Sequence, residues 1–252
     1  MFGRLLPCGA LNSEYANAPA GPLIIPCIDL MDGKVVQLRQ GREKALEADP
    51  PLVMLKKFSA FPEIQVIDLD AAMERGSNDR IVMDLAERAI IRAGGGIRTA
   101  DHALDLLDNG VYRIILGTAA FTPDGVNRPL LESLPPDRVL IALDSRGGRI
   151  VTRGWREATR FSAEEIISDL EPYCAGFLCT YVDKEGMMEG TDLDWFRRLR
   201  ASTTREITAA GGITTMDEIR ALAAMNIHAA LGMAVYTGRL SLDELALLSA
   251  KM

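Results

Sequence analysis

Short apolar runs rich in isoleucine, leucine and valine alternate with longer amphipathic stretches from Pro22 to the C-terminus. Runs of this length and composition predict buried β-strands, and each is followed by enough chain for a helix. Strands that alternate with helices predict a parallel sheet. The eight predicted strands span residues 22–29, 64–69, 89–93, 113–116, 138–144, 176–181, 205–209 and 229–232.

Several of the stretches between these strands carry helix start and stop signals. Thr99 precedes one of them and Gly110 follows it, as expected of an N-cap and of a residue just past a helix end. Ser162, with Glu165 three residues later, matches a capping box. The predicted apolar faces of two helices consist of Leu104, Leu107 and Val111, and of Ile219, Leu222 and Met225.

The second half of the chain repeats landmarks of the first half after 115 or 116 residues. The repeated segments are 23–29 and 138–144, 95–101 and 211–217, and 116–121 and 231–236. A repeat of this length is too long for a solenoid unit and matches half of a barrel. An open doubly wound sheet would also alternate strands with helices, but it does not explain two equal halves. We therefore predict one α/β domain, a (β/α)8 TIM barrel over 22–252, with half-barrels at about 22–135 and 136–252.

Composition and charge indicate the cellular environment of the protein and the kinds of partner it can bind. A formal net charge of −7 and a pI near 5.0 argue against nucleic acid or an anionic membrane as a partner. The four cysteines show no metal-binding or redox spacing, which favours a reducing cytoplasm. Residues 1–21 lack the order of a signal peptide and the apolar length of a membrane span, and we expect a loose extension there. We expect a monomer that acts on a small molecule.

Two aspartates stand at the predicted C-terminal ends of repeat-equivalent strands, where barrel enzymes carry their reactive groups. Asp29 and Asp144 each end an apolar run, so both side chains should project into the mouth of the barrel. Two carboxylates in a partly dry cavity can serve as general acid and general base. The only histidines, His102 and His228, lie in or next to helical stretches, and we assign them to packing. Without clustered histidines, we expect no metal site.

Glycine turns follow four of the predicted strands in matched pairs. They are Gly95-Gly96 and Gly211-Gly212, before helices expected to open at Thr99 and Thr214, and Gly117-Thr118 and Gly232-Met233. Glycine lets backbone amides approach an anion closely, and a following helix N-terminus adds a favourable dipole. Matched turns in both halves predict two phosphate sites. The substrate should therefore be a bisphosphate whose reactive centre lies between Asp29 and Asp144.

These motifs in combination resemble the histidine-biosynthesis barrels, and their isomerase branch most closely. The motifs are IIPCIDLMDGKV at 24–35, GGGIR at 94–98, ALDSR at 142–146, GW at 154–155, CT at 179–180, DKEG at 183–186 and AGGI at 210–213. The resemblance covers about residues 23–247. It implies an Amadori rearrangement of an aminoaldose to an aminoketose without a cofactor. By the same resemblance, Asp29 is the base that moves the C2′ proton, Asp144 is the acid that opens the furanose ring, and Thr180 hydrogen-bonds between substrate and acid.

The chain departs from the family pattern at several positions. Gln37 stands where most isomerases have arginine and where the sister cyclase has lysine, so the isomerase is favoured over the cyclase. Glu185 and Met187 replace the usual aspartate and threonine of the loop after the sixth strand, and Met233 replaces a basic residue.

Two further alternatives are open. Arg153, directly before Gly154 and Trp155, resembles bifunctional variants that also isomerise phosphoribosylanthranilate, although an exposed loop arginine would look the same. Trp155 could stack on an aromatic heterocycle of the substrate or pack within its loop. A non-catalytic phosphate-binding barrel is the remaining alternative, and intact Asp29, Asp144 and Thr180 count against it.

Overall fold

The computed structural model describes residues 21–39 and 43–251. Eight parallel strands follow one another around a closed barrel in chain order, and the last strand pairs with the first at Ile24 and Ala229. The predicted (β/α)8 barrel is confirmed, and each predicted strand overlaps an observed one. The predicted extension at 1–21 lies, except for its last residue, outside the described residues. The barrel strands are β1 (Ile24–Met31), β2 (Ile64–Asp68), β3 (Ile91–Gly94), β4 (Arg113–Leu116), β5 (Val139–Ala142), β6 (Gly176–Thr180), β7 (Glu206–Ala210) and β8 (His228–Leu231).

Helices lie between these strands along the chain, and two more follow the last strand. They are α1 (Pro51–Lys57), α2 (Leu69–Ala72), α3 (Asp79–Ala86), α4 (Ala100–Asp108), α5 (Arg128–Leu131), α6 (Ala163–Leu170), α7 (Leu193–Ser202), α8 (Met216–Ala224), α9 (Met233–Tyr236) and α10 (Leu242–Ser249). None of the helices in the described part of the chain combines the length and the apolar character that crossing a membrane requires.

Side-chain caps mark the starts of five of the ten helices named above, α2, α4, α6, α7 and α8. The Thr99 hydroxyl accepts the backbone N–H of residue 102 at the start of α4, and Ser162 forms the predicted capping box with Glu165 on α6. Helix α8 begins one residue later than predicted, because Thr215 rather than Thr214 is its N-cap. The predicted face of α4 was also wrong at Leu104, which is 37% exposed.

The apolar core forms two layers because side chains alternate between the two faces of each strand. The outer layer lies between the strands and the helices and includes Phe58, Phe177 and Phe196. The inner layer fills the barrel. It consists of Cys27, Ile115, Leu140, Ala142, Leu178 and Ala230. The alternation that turns Cys27 inward on β1 also turns Asp29 inward, two residues closer to the mouth.

An ion-pair network closes the opposite, N-terminal end of the barrel. Arg92 on β3 is completely buried, and its Nε lies 2.6 Å from Glu63 Oε1. The same guanidinium donates to Thr208 Oγ1 at 2.8 Å and lies 3.2 Å from Glu206 Oε1. Arg113 Nη1 lies 2.6 Å from the other oxygen of Glu206. These contacts join residues of β3, β4 and β7, and Glu63 just before β2, across the N-terminal end of the barrel, which we call its floor.

Short antiparallel strands lie at the mouth of the barrel, beyond the C-terminal ends of its parallel strands. Strand β1 continues past Asp29 to Met31 and pairs with a hairpin formed by Lys34–Arg39 and Glu43–Glu47. Asp29 therefore lies within a strand and not at its end, since the hairpin prolongs the ladder. Three further strands, Ser145–Arg146, Arg149–Thr152 and Glu157–Ala158, form the loop after β5.

Candidate active site

One cavity of about 1170 Å³ opens at the C-terminal ends of the barrel strands. It brings together every site residue that the sequence predicted. These residues are Asp29, Gly95, Gly96, Gly117, Thr118, Asp144, Arg153, Trp155, Thr180, Gly211, Gly212, Gly232 and Met233. The roles assigned to them in binding and catalysis stay predictions.

Asp29 faces this cavity from β1. Its Oδ2 accepts a hydrogen bond of 3.1 Å from the side-chain amide of Gln37. Withdrawal from water raises the pKa of Asp29 to about 7, and the Gln37 hydrogen bond opposes that rise. A carboxyl group with this pKa exchanges protons readily at neutral pH.

Asp144 lies two residues beyond the end of β5. Its Oδ2 accepts a hydrogen bond of 2.8 Å from Trp155 Nε1, and the Thr180 hydroxyl at the end of β6 bonds to the same carboxyl group. Burial raises the pKa of Asp144, and the bonds from Thr180 and Trp155 lower it. The second carboxylate is therefore held by Thr180 from the end of β6 and by Trp155 from the loop after β5.

A third carboxylate, Glu185, lines the same cavity. It follows the short 3-10 helix Val182–Lys184 after β6. Burial first, and then the charges of Asp29 and Asp144, raise the pKa of Glu185 to about 7. The sequence marked Glu185 as a departure from the family pattern but did not place it in the site. One signal was available in the sequence: Glu185 is an acidic residue in the loop after a strand that already bears a candidate site residue, Thr180.

The glycine pairs after β3 and β7 have matching backbone conformations. Their φ angles are 96° and 69° at Gly95 and Gly96, and 91° and 75° at Gly211 and Gly212. A Cβ at Gly95 would lie 2.1 Å from the backbone oxygen of Asp68, and one at Gly211 would lie 2.6 Å from that of Tyr181. Glycine is thus required here by the close approach of the backbone at the end of the preceding strand as well as by the left-handed backbone.

The turns after β4 and β8 also match. Gly117 has φ −97° and ψ −111°, and Gly232 has φ −109° and ψ −105°, and each precedes a single helical turn. A Cβ on Gly117 would meet nothing within 4 Å, whereas one on Gly232 would lie 2.6 Å from Gln37 Oε1. The first N–H groups of such turns have no partner within the helix. Both halves therefore present backbone donors beside the cavity.

The loop after β5 carries Arg153, Gly154 and Trp155, which all have positive φ angles of 53–66°. The backbone N–H of Arg153 donates to Thr118 Oγ1 at 2.7 Å, which ties this loop to the turn after β4. The Arg153 side chain is 68% exposed and pairs with Glu157 at 3.1 Å. Arg153 also lines the cavity.

Both histidines lie away from the cavity. His102 on α4 lies 3.2 Å from Asp79 Oδ1. His228, which the sequence placed in or next to a helical stretch, instead begins β8, and its Nδ1 accepts the backbone N–H of Leu23 at 2.6 Å. In the described ranges, no three side chains of the histidine, cysteine, aspartate or glutamate type converge as a metal ion would need.

Comparisons with known proteins agree with this architecture. The family model described as "Histidine biosynthesis protein" matches residues 23–241. Similar proteins include the 1-(5-phosphoribosyl)-5-((5-phosphoribosylamino)methylideneamino) imidazole-4-carboxamide isomerases of Myxococcus xanthus, at 36% identity, and Halobacterium salinarum, at 40%. The matches cover 89% and 88% of this chain, and 98% and 94% of the two relatives. The chain therefore belongs to the histidine biosynthesis protein family.

Proposed function

We propose that this protein catalyses the reaction for which its relatives are named, the isomerisation of the imidazolecarboxamide aminoaldose ProFAR. The product is the aminoketose PRFAR, formed by an Amadori rearrangement. The observation that carries the proposal is the presence of Asp29 and Asp144, from repeat-equivalent strands, in one cavity between two matched sets of turns. ProFAR has a phosphate at each end, as the name of the relatives describes.

The chemistry needs one acid and one base on opposite sides of a sugar. Protonation of the ring oxygen by Asp144 breaks the C1′–O bond while the nitrogen lone pair forms a C1′=N bond. Asp29 then removes the C2′ proton, the electron pair of the C2′–H bond forms the C1′=C2′ bond of an enolamine, and the π electrons of the C1′=N bond return to the nitrogen. Proton transfer from the C2′ hydroxyl and to C1′ yields the ketone, so substrate and product are isomers.

The electrostatics of the cavity favour proton exchange by both carboxyl groups. Burial raises the pKa of Asp29 and of Asp144 above the ordinary value for aspartate, so each can exchange a proton closer to neutral pH than a free aspartate would. The hydrogen bonds from Thr180 and Trp155 keep Asp144 pointed into the cavity. Glu185 repels the negative charges of Asp29 and Asp144. This repulsion disfavours the state in which all three carboxyl groups are ionised.

The phosphates of ProFAR fit the matched turns. Backbone N–H groups near Gly95 and Gly117 on one side, and near Gly211 and Gly232 on the other, can donate to phosphate oxygens. The net charge of −7 gives no long-range attraction for such a substrate. Local donors and the mouth-lining cations Arg75, Arg98 and Arg156 would therefore hold it.

Purified protein should convert ProFAR with a kcat of about 1–10³ s⁻¹, the usual range for enzymes. The same preparation should be assayed with phosphoribosylanthranilate, because Arg153 resembles the bifunctional pattern. We expect ProFAR to dominate, since Gln37 removes a cation that a second anionic substrate would need. Comparable kcat/KM values for both substrates would establish a bifunctional enzyme, and absence of ProFAR turnover would refute the proposal.

The acidic limb of the ProFAR pH profile should lie near pH 7. Below the pKa of about 7, Asp29 is protonated and cannot accept the C2′ proton, so kcat/KM should fall about tenfold per pH unit. Because repulsion between Asp29 and Glu185 is mutual, Glu185→Gln should move this limb to lower pH. Glu189→Gln, in the same loop but exposed, is the control and should leave the limb in place. A limb that moves to higher pH in Glu185→Gln would contradict the coupling.

A further inference from the structure

The hairpin that prolongs β1 carries a buried amide into the active site. Gln37 is 3% exposed, although it lies on an added strand at the mouth of the barrel. The register of the hairpin shifts between Gln37 and Leu38. Such an irregularity re-aims side chains and is frequent beside active sites. Gln37 also lines the cavity that holds Asp29.

Both hydrogens of the Gln37 amide nitrogen are used. Nε2 donates to Asp29 Oδ2 at 3.1 Å and to the backbone oxygen of Val36 at 3.0 Å. Since both partners are acceptors, this orientation of the amide is the only one that satisfies them. The opposite end of the amide then faces Gly232, where a Cβ would lie 2.6 Å from Gln37 Oε1. The side chain is therefore held between β1 and the turn after β8.

We propose that Gln37 is a positioning residue for proton transfer: its amide, a neutral hydrogen-bond donor, fixes the Asp29 carboxylate towards the substrate. The proposal rests on the proposed function, because it takes Asp29 as the base. An arginine at this position would give Asp29 a charged donor, and a neutral amide leaves the carboxylate more basic. Gly232 is the matching feature on the other side, since any side chain there would displace the amide.

In the described part of the chain, the titratable groups that interact electrostatically with Asp29 are a thiol, a phenol and a carboxyl group. Cys27 lies two residues before it on β1, Tyr236 approaches from α9, and Glu185 approaches from the loop after β6. Within the described chain, Gln37 is the side chain that donates a hydrogen bond to Asp29. The pKa of about 7 at Asp29 agrees with a single neutral donor that offsets burial only in part.

Two substitutions should move the Asp29 titration in opposite directions. Gln37→Met keeps the approximate shape and removes the donor, so the acidic limb of kcat/KM should rise by about one pH unit. Loss of positioning should also lower kcat about tenfold with little change in KM. Gln37→Arg places a cation beside Asp29 and should lower the limb by about one to three pH units. Gln65→Met is the control, because Gln65 is also a buried cavity-lining amide but bonds to Cys27 Sγ instead of Asp29.

A substrate-independent measurement separates this proposal from the proposed function. In protein labelled with 13C at aspartate carboxyl carbons, the Asp29 signal is the one that Asp29→Asn removes. The pKa measured from this signal should rise in Gln37→Met, fall in Gln37→Arg and stay unchanged in Gln65→Met. An unchanged Asp29 titration in both Gln37 variants would overturn the role of Gln37 even if ProFAR is turned over. Absence of turnover with the expected NMR shifts would instead overturn the catalytic role of Asp29.

Discussion

Asp29→Asn and Asp144→Asn should each lower kcat for ProFAR by about 10²–10⁴-fold, the usual contribution of a general acid or base. Asparagine has the same shape as aspartate. The hydrogen bond of residue 29 to Gln37, and those of residue 144 to Thr180 and Trp155, can therefore largely persist, but the amide cannot exchange the proton. No histidine lines the cavity in the described part of the chain, so no neighbouring imidazole can take over the proton transfer.

The control for both variants is Asp101→Asn, an exposed aspartate in the first turn of α4, which should leave kcat unchanged. The variants should also stay folded. Because burial raises the folded-state pKa of Asp29 to about 7, its contribution to stability is lost as pH rises from the unfolded-state pKa to about 7. Asp29→Asn should therefore be at least as stable as the wild type at pH 8. A loss of kcat smaller than tenfold in either variant would remove that residue from the mechanism.

Arg92→Met should lower the free energy of unfolding by about 3–5 kcal/mol, the typical cost of removing one partner from a buried ion pair. The substitution leaves Glu63, 3% exposed at its side chain, without the cation 2.6 Å away. Glu206 would keep Arg113 as its partner. Urea unfolding measures this loss: the midpoint urea concentration should fall, while the dependence of the free energy of unfolding on urea concentration stays constant.

Two comparisons test that the loss comes from an uncompensated charge. Arg88→Met removes an exposed ion pair with Glu87 and should change stability by about 1 kcal/mol or less. The double variant Glu63→Gln with Arg92→Met removes the stranded carboxylate together with the guanidinium, and it should be more stable than Arg92→Met alone. If Arg92→Met behaved like Arg88→Met, the network would not hold the floor of the barrel together.

The barrel could be predicted because its signals are local or repeated. Each strand is a compact apolar run, and the caps at Thr99 and Ser162 depend on residues within one helical turn. Asp29 and Asp144 stood out because they recur at one spacing, and no single aspartate would have justified the same inference. The face of α4 was misplaced at Leu104 because neighbouring apolar residues allow two phases of the helix, and packing against the barrel selects Ala103 and Leu106.

The remainder of the site depends on contacts between distant positions. Glu185 enters the cavity only when the loop after β6 folds over it, and Gln37 reaches Asp29 only through an irregularity in the hairpin. The floor network joins Arg92 to Glu206 across 114 positions, and charged residues inside apolar strands give no sequence signal of their partner. Side-chain geometry decides these cases, and spacing along the chain does not encode it.

The pairing of β8 with β1 has a consequence for the nascent chain. Leu23, just before β1, is bonded to His228, 205 positions later, and β1 pairs with 229–231. At a synthesis rate of about 5–20 residues per second, β1 waits roughly 10–40 s for this neighbour. Until then, one edge of the sheet offers unpaired backbone groups to other chains. The ribosome-bound intermediate of this protein is therefore open to aggregation through that edge.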